Sequence, residues 1–430
     1  MVKMPDGTAT AHRYKPKLAS TLKEGYGAEA LKRDAMAGLT VAILALPLSM
    51  AIAVASGVSP ERGLWTAIVG GFLVSALGGS RYQIGGPAGA FIVLVAATVA
   101  KFGIEGLLLT VLLSGLMLTI VGLLRLGSLI RHIPHEVTVG FTAGIAVTIL
   151  ASQIKDLAGL TLAGHEPGEL LPKLAALAQA APTLNPAALA LGVGVAAFIL
   201  VLRHFRPTWP GMLFGVVGAT LIAVALGLPV ETIGTRFGGL PQSLPMPALP
   251  NLSWDLAVKV LPAALSFTLL GGVESLLSAT VADKMTGRVH RANMELVAQG
   301  LANVGSALFG GIAVTGTIAR TAANIRAGAR SPFAGILHAV FLLLFMLLAA
   351  PLASYVPLAA LAGVLVVVAW NMTEKDEFAR LMRSWRSGAV LFATFAFTLL
   401  HDLTAGIVAG CVLAAFFWLL SRRERGGEAP

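Results

Sequence analysis

The sequence predicts an all-α polytopic membrane protein, and two observations support this prediction. Of the 430 residues, 56% are hydrophobic and only 12% are charged, which is about half the charged share of an ordinary soluble domain. Apolar runs of roughly twenty residues, each long enough to cross a hydrocarbon core about 30 Å thick, recur along the whole chain. We therefore expect membrane-spanning helices and no soluble domain.

The hydropathy pattern predicts fourteen transmembrane segments. Residues 1–33 are expected to form a cytoplasmic N-terminal tail, residues 34–420 the transmembrane domain, and residues 421–430 a short cytoplasmic tail. Spans 3 and 10 are short, and each follows a Gly-rich stretch. In chain order, the predicted spans lie at approximately 34–57, 63–78, 86–101, 105–124, 134–155, 186–203, 210–228, 254–282, 290–309, 318–326, 332–353, 356–371, 386–400 and 403–420.

The formal net charge of +10 is distributed unevenly over these segments. With the N-terminus in the cytoplasm, 24 of the 31 Lys and Arg residues fall on the cytoplasmic side, 6 fall outside, and Arg320 lies at membrane depth. This asymmetry follows the positive-inside rule. It supports an even number of spans with both termini in the cytoplasm, in a protein that we expect in a bacterial inner membrane, and it explains the basic excess without a nucleic-acid partner.

A short motif occurs twice in the chain. Ser75–Gly79 reads SALGG and Ser306–Gly311 reads SALFGG, and each is followed by a Gly-containing segment, QIGGPAGA at 83–90 and AVTGTIAR at 313–320. Seven predicted spans separate the two copies, and an odd number gives them opposite orientations. Interrupted hydrophobic segments at matching positions of two halves are typical of transporter binding sites. The pattern therefore predicts two inverted seven-span repeats, with short extended segments before half-helices 3 and 10.

These interrupted segments indicate an anion site. Non-helical backbone at membrane depth is tolerated where protein or a wet cavity satisfies it. The N-terminus of a half-helix offers free N–H groups and the positive end of its dipole to a negative ligand. Pro87 suits the first turn of such a helix, because its missing N–H costs nothing there. Close helix packing through small residues is the alternative for any single glycine.

Two ionisable residues lie inside predicted spans, where a charged side chain costs roughly 2.5–3.5 kcal/mol. Arg320 opens span 10, where its charge would add to the dipole field and its planar guanidinium suits oxyanions. Alternatively, Arg320 pairs with Glu274 of span 8 as a buried structural lock. Glu274, with Ser278 one helical turn later, is the candidate for carrying a coupled proton, and sodium coordination is the alternative.

Other candidates for chemistry are weak. The single Cys411 can form neither an internal disulfide nor a paired-cysteine metal site. His132 and His135 lie in a basic loop, and a lone His338 in a span is more often a packing residue. Patterns of an intramembrane protease and a Walker motif for ATP are absent from the sequence. We expect no catalytic residue, no metal and no cofactor.

Pro47–Val93, which reads PLSMAIAVASGVSPERGLWTAIVGGFLVSALGGSRYQIGGPAGAFIV, resembles the signature region of the sulfate permease family of anion transporters and exchangers, which includes the mammalian motor protein prestin. The resemblance continues through ESLLSATVADKMTG and GGIAVTGTIARTAANIRAGARSP and covers nearly all of the chain. It implies a fold similar to that of uracil permease, with a core domain that moves like an elevator against a gate domain. The core would comprise spans 1–4 and 8–11, at about 34–124 and 254–353, and the gate spans 5–7 and 12–14, at about 134–228 and 356–420.

The resemblance also implies a substrate site between the facing ends of spans 3 and 10, flanked by spans 1 and 8. Glu274 and Ser278 match its ion-coupling positions, and Arg320 resembles an arginine present in relatives. The implied substrate-binding residues are Pro47, Leu48 and Ile52 of span 1, Gly85, Gly86, Pro87 and Ala88 before span 3, and Thr317, Ile318, Ala319 and Arg320 at the start of span 10.

Two departures from the family pattern bear on function. Leu48 stands where many relatives have glutamine, which puts sulfate specificity in doubt, and the chain ends before the STAS-type cytoplasmic domain that most relatives carry. The resulting hypothesis is a proton-coupled symporter of a small anion, such as a dicarboxylate like fumarate, bicarbonate, sulfate or chloride. An anion channel, an exchanger without proton coupling, a nucleobase permease of the same fold and an inactive structural protein are the alternatives. The sequence leaves open whether the chain forms a homodimer.

Overall fold

A computed structural model describes residues 14–127, 134–164, 166–167, 170–207, 209–373, 375–400 and 403–426. The loop residue His132, residues 1–13 of the predicted N-terminal tail and residues 427–430 of the predicted C-terminal tail lie outside these ranges. Within them the chain is mostly helical, and seven helices are long and apolar enough to cross a membrane by length and composition. Three shorter apolar helices accompany them, at Gly211–Ala225, Trp385–Leu400 and Ala405–Leu420. The structure therefore agrees with a helical, multi-pass membrane protein.

The helices are numbered here in chain order, together with two short strands, β1 at Gly85–Gly86 and β2 at Thr315–Gly316. A π-helical turn at Thr66–Gly70 joins α3 to α4, and a 3-10 turn at Gly89–Phe91 precedes α5. The helices are α1 Lys17–Lys23, α2 Ala28–Ala55, α3 Pro60–Trp65, α4 Gly71–Leu77, α5 Ile92–Leu123, α6 His135–Leu157, α7 Leu170–Ala180, α8 Pro186–Phe205, α9 Gly211–Ala225, α10 Ile233–Phe237, α11 Trp254–Thr286, α12 Ala292–Leu308, α13 Ile318–Arg326, α14 Phe333–Ala353, α15 Leu358–Met372, α16 Lys375–Met382, α17 Trp385–Leu400 and α18 Leu403–Gly426.

The region of predicted spans 3 and 4 differs in detail from the prediction. Gly103 interrupts α5 with φ 68° and ψ −171°, a conformation that only glycine adopts without strain, so the two predicted spans meet inside one 32-residue element. The first of them begins at the turn Gly89–Phe91 rather than at residue 86. Pro87 therefore does not occupy a first helical turn, because the pairing of β1 keeps the chain extended up to Ala88.

The two strands pair with each other and bring together the two Gly-rich segments. β1 and β2 are antiparallel, with Gly85 opposite Gly316 and Gly86 opposite Thr315. The ladder extends by one bond, in which the backbone N–H of Thr317 donates to the carbonyl of Ile84 at 3.2 Å. The chain before α5 and the chain before α13 thus run side by side in the interior, where both strands are buried.

The side chain of Asn303 on α12 holds the approach to β2. Its Nδ2 donates to the carbonyl of Val314 at 2.8 Å, and its Oδ1 accepts the N–H of Val314 at 2.9 Å. The amide therefore satisfies both backbone groups of a buried residue, as a neighbouring strand would.

We expect Asn303→Ala to lower the free energy of unfolding by about 2–4 kcal/mol, because it leaves a buried N–H and a buried C=O of Val314 without partners. Equilibrium unfolding in detergent micelles measures this. Asn251→Ala is the matched control, since Asn251 is exposed. Equal stability of the two variants would contradict the assignment.

Helix packing is closest within two sets of helices. In the first set α5 packs against α11 and α12, and α2 packs against α14. Small residues allow close approach there, since a Cβ built on Gly115 of α5 would lie 2.7 Å from the carbonyl oxygen of Gly300 in α12. In the second set α6 packs against α15, α17 and α18, and α8 packs against α9 and α15.

The two connections at 226–253 and 354–357 are hydrogen-bonded to each other. Thr232 forms an isolated antiparallel bridge with Pro357. The N–H of Ile233 donates to the carbonyl of Val356 at 3.0 Å, and the N–H of Leu358 donates to the carbonyl of Glu231 at 2.9 Å. This bridge joins the segment that leads from α9 to α11 with the segment that leads from α14 to α15.

The N-terminal segment 14–27 is tied to the ends of the first helix set. Lys17 Nζ donates to the carbonyl of Val289 at 2.8 Å, and Arg291 Nη1 donates to the carbonyl of Lys15 at 2.6 Å. Burial, followed by the nearby charges of Arg291 and Arg81, lowers the pKa of Lys17 to about 8. The segment thus lies in a region of excess positive charge.

Candidate functional site

A cavity of about 310 Å³ lies between the two sets of helices. The first set contributes side chains of α2 and α11, the segment that precedes α5, and Thr317 with the first turn of α13. The second set contributes α6, α9, α15 and α18. Most of its lining is apolar. The lining residues are Leu48, Ile52, Pro87, Ala88, Gly89, Ala90, Val137, Thr138, Phe141, Thr142, Met212, Leu270, Val273, Glu274, Leu277, Thr317, Ile318, Ala319, Arg320, Val368, Asn371, Met372 and Ile407.

Arg320 is the buried cation of this cavity, with only 3% of its surface exposed. Its Nη2 donates to the carbonyl of Pro87 at 3.1 Å and to Ser49 Oγ at 3.3 Å. Its Nε and Nη1 are also buried, and they have no hydrogen-bond partner among the described residues. Buried polar groups are almost always hydrogen-bonded, and a guanidinium has five donors, so Arg320 retains donors for a ligand.

Glu274 and Thr317 present further polar atoms without partners. Glu274 faces the cavity, yet its Oε2 is inaccessible and has no hydrogen-bond partner in the described part of the chain, and the same holds for Thr317 Oγ1. Glu274 and Arg320 are near enough for their charges to interact. The described residues nevertheless include no ion pair between them within 4 Å, so the alternative of a direct buried lock does not describe this structure.

Two helix N-termini face the same region. Thr317 precedes α13 and Ala88 precedes the turn at Gly89, and neither side chain caps its helix. The first N–H groups of a helix have no partner within the helix. The β1–β2 pairing therefore places two positive dipole ends and one guanidinium at one wall of the cavity.

Four predicted site residues do not line the cavity. Pro47 is buried within α2, and Gly85 packs against Val74. Gly86 lies behind the guanidinium, where a Cβ would collide with Arg320 Nη1. Ser278 Oγ instead donates to Thr321 Oγ1 at 3.2 Å, which fastens α11 to α13.

Several polar residues of the site were not predicted. Ser49 accepts from Arg320, and it lies only two residues after Pro47, so the signal was present in the quoted segment. Thr138, Thr142 and Asn371 line the opposite wall, and Arg203 Nη1 donates to Asn371 Oδ1 at 2.7 Å. No local pattern marks these residues, because they reach the cavity only through the packing of the second helix set.

Metal coordination finds no support in this region. Among the residues that the structure describes, no group of three or more His, Cys, Asp or Glu side chains is arranged to hold an ion. His338 is fully buried in α14, with no hydrogen-bond partner for either ring nitrogen among the described residues. It lies outside the lining of the cavity.

Comparison with known proteins places this geometry in a family. The model of the sulfate permease family matches residues 31–395. The chain is 44% identical to the putative sulfate transporter YvdB of Bacillus subtilis over 405 residues, which are 93% of this chain and 76% of the relative. It is 31% identical to the bicarbonate transporter BicA of a Picosynechococcus species, over 89% of this chain and 69% of that protein.

Solved structures show the same fold. The transmembrane domain of a cyanobacterial bicarbonate transporter BicA matches with a TM-score of 0.80 and 30% identity, over 89% of this chain and 98% of that one. The structure of SLC26A9 matches with a TM-score of 0.85 and 18% identity, over 94% of this chain and 68% of that one; at this identity the likeness concerns the fold alone. The relatives are transporters rather than enzymes, and the resemblance in the sequence is confirmed: the chain is a multi-pass membrane transporter that belongs to the sulfate permease family.

Proposed function

We propose that this protein is a secondary active transporter that binds a small anion at the paired N-termini of α13 and of the helix that begins at Gly89. The observation that carries the proposal is the guanidinium of Arg320, buried at the cavity wall with two nitrogens that have no hydrogen-bond partner among the residues that the structure describes. A buried cation with free donors favours a negative ligand, because the ligand supplies both charge and acceptors. A neutral nucleobase would leave that charge uncompensated.

The substrate class is a small oxyanion. The names of the relatives refer to sulfate and bicarbonate, and both anions offer two oxygens to the fork of a guanidinium. The cavity lining is apolar at Leu48 and Ile52, which also suits a carboxylate such as fumarate. The anions to be tested in transport assays are bicarbonate, sulfate and a dicarboxylate, with chloride as the smallest competitor.

Transport would follow an elevator mechanism with fourteen spans in two inverted repeats. The first helix set corresponds to a core at about 34–124 and 254–353, and the second to a gate at about 134–228 and 356–420. Packing within each set and a cavity between them support this division. A sliding core would carry Arg320 and its anion past the gate residues Thr138 and Asn371.

The cavity is assigned to the cytoplasmic side. Most of its gate lining, apart from Met212 and Ile407, comes from the first two turns of α6 and the last turn of α15, the ends next to segments rich in Lys and Arg. With the N-terminus in the cytoplasm, as the charge distribution favours, this corresponds to an inward-facing state in the inner membrane.

Glu274 is proposed to carry the coupled proton. Its carboxyl lies near Arg320 in an apolar wall, and one of its oxygens has no hydrogen-bond partner in the described part of the chain. Anion binding near this carboxyl disfavours its charged form, since like charges repel at low dielectric. Loading of the anion and of the proton would thus support each other.

We expect Glu274→Gln to retain anion binding and to lose the acceleration of uptake by an inward proton gradient, because glutamine cannot ionise. Proteoliposome uptake of the labelled anions, with and without an imposed gradient, measures this. The matched control is Glu61→Gln, which makes the same substitution outside the cavity lining. Full gradient dependence in Glu274→Gln would exclude Glu274 as the proton carrier.

The same panel tests the transport proposal itself. Saturable uptake of at least one oxyanion, reduced by excess unlabelled anion, is the expected result. Currents far above carrier turnover at fixed voltage would identify a channel instead. Uptake of no anion under any gradient would contradict the proposal.

A further inference from the structure

A second and larger groove lies on the outside of the first helix set. Its volume is about 950 Å³, roughly three times that of the transport cavity. Both halves of α5 and the first part of α11 form it. Pro262 within α11 lines it, and the break of α5 at Gly103 directly follows its lining residues Lys101 and Phe102.

The interior of the groove suits hydrocarbon. Thr98 Oγ1 donates to the carbonyl of Leu94 at 2.7 Å, Thr268 Oγ1 to that of Ala264 at 2.7 Å, and Ser266 Oγ to that of Pro262 at 3.1 Å. Each hydroxyl thus donates its hydrogen bond to a backbone carbonyl of its own helix, which leaves few donors for a polar ligand. The remaining lining is apolar apart from two lysines.

The groove opens on a surface that a membrane covers. Its large apolar side chains Ile120, Leu265 and Leu269 are 54%, 50% and 44% exposed. They belong to two helices that are long and apolar enough to span a bilayer. Lipid chains are therefore the medium in contact with this groove.

Two ammonium groups lie at one end of the groove. Lys101 is exposed, two residues before the break at Gly103, and its Nζ lies 5.2 Å from the ring centroid of Phe102. Lys259 pairs with Asp255 at 2.6 Å, with 59% and 76% of the two side chains exposed. An exposed pair of this kind contributes little, so a phosphate can replace or share this contact.

We infer that the groove binds a membrane phospholipid, with an acyl chain along α5 and α11 and the phosphate at Lys101 and Lys259. The positive charges of the two lysines favour a phosphate head group. The hydroxyls of the groove are already hydrogen-bonded to backbone carbonyls, which favours an apolar acyl chain. The site is separate from the anion cavity, since the two share no lining residue. The inference stands whether or not the proposed substrate is correct.

Native mass spectrometry of the purified protein in detergent, titrated with phosphatidylglycerol, tests this. A lysine near a phosphate contributes about a fivefold change in affinity. Lys101→Gln and Lys259→Gln should therefore each weaken binding about fivefold, and the double variant about 25-fold. Lys155→Gln, which removes the same charge outside the groove, should bind as the wild type does.

A second variant blocks the chain while both lysines remain. Ala97 is exposed within the groove, so Ala97→Trp should fill it and lower the number of bound lipids without unfolding the protein. Ala197→Trp, on the exposed face of α8, is the control. Wild-type binding by Ala97→Trp would overturn the inference.

Two further measurements distinguish lipid binding from binding of a free anion and from dimer formation. Inorganic phosphate at the same concentration should fail to displace the lipid, and displacement by phosphate alone would reduce the site to a surface anion contact. If Ala97→Trp instead dissociated a dimer while its lipid count stayed unchanged, the occupant would be a second copy of the chain, contrary to the inference.

Discussion

Replacement of Arg320 by alanine is expected to lower the rate of anion uptake at least a hundredfold. Arg320 is the buried charge at the cavity wall, and two of its nitrogens have no partner among the described residues. Removing one partner of a buried, hydrogen-bonded charge pair costs on the order of 3 kcal/mol, which is about two decades in affinity. Initial uptake rates in proteoliposomes, at substrate concentrations below saturation, measure the loss.

Two further variants serve as controls for Arg320→Ala. Arg320→Lys keeps the charge but loses the planar fork, so partial activity with weaker selection among oxyanions is expected. Arg383→Ala removes an exposed arginine outside the cavity and should transport normally. Size-exclusion profiles and thermal unfolding show whether each variant is folded. A folded Arg320→Ala protein with unchanged uptake would contradict the assignment of this cavity.

Gly86→Ala is expected to lower the rate of anion uptake strongly as well, although Gly86 does not line the cavity. A Cβ at this position would collide with Arg320 Nη1. The backbone of Gly86 has φ 157°, which an alanine adopts only with strain. Either the guanidinium moves out of its place or the β1–β2 pair opens, and both outcomes misplace the charge. Uptake assays of Gly86→Ala should show a loss of more than tenfold.

Gly194→Ala provides the control, because a Cβ on Gly194 of α8 meets nothing within 4 Å. The double variant Gly86→Ala with Arg320→Ala separates the two causes of loss. If the collision is the whole effect, the double variant should be no less active than Arg320→Ala alone. Normal uptake by Gly86→Ala would show that Arg320 can occupy another position.

The sequence predicted the features of this protein that depend on local composition. Hydropathy marked the membrane helices, and the repeated SALGG motif located both interrupted segments, because glycine and proline have few other reasons to cluster within apolar runs. The cost of a buried charge singled out Arg320 and Glu274. These signals depend on single residues and their immediate neighbours, which a sequence displays directly.

Features that depend on packing between distant segments were not accessible in this way. Pro87 was assigned to a helical turn, but the partner strand at Thr315–Gly316 keeps it extended. Ser278 was placed beside Glu274 by helical spacing, yet its hydroxyl bonds Thr321 of a helix 43 residues later in the chain. The polar residues Thr138 and Asn371 reach the cavity through the packing of helices that carry no distinguishing motif.

The bridge between Thr232 and Pro357 has a consequence for movement. In the proposed division, one bridged segment leads from gate to core and the other leads from core back to gate. Hydrogen bonds from Ile233 and Leu358 fasten these two segments together, so neither can swing independently of the other. The two segments therefore act as a single hinge. Movement of the core relative to the gate would rotate about this hinge and would not extend two separate linkers.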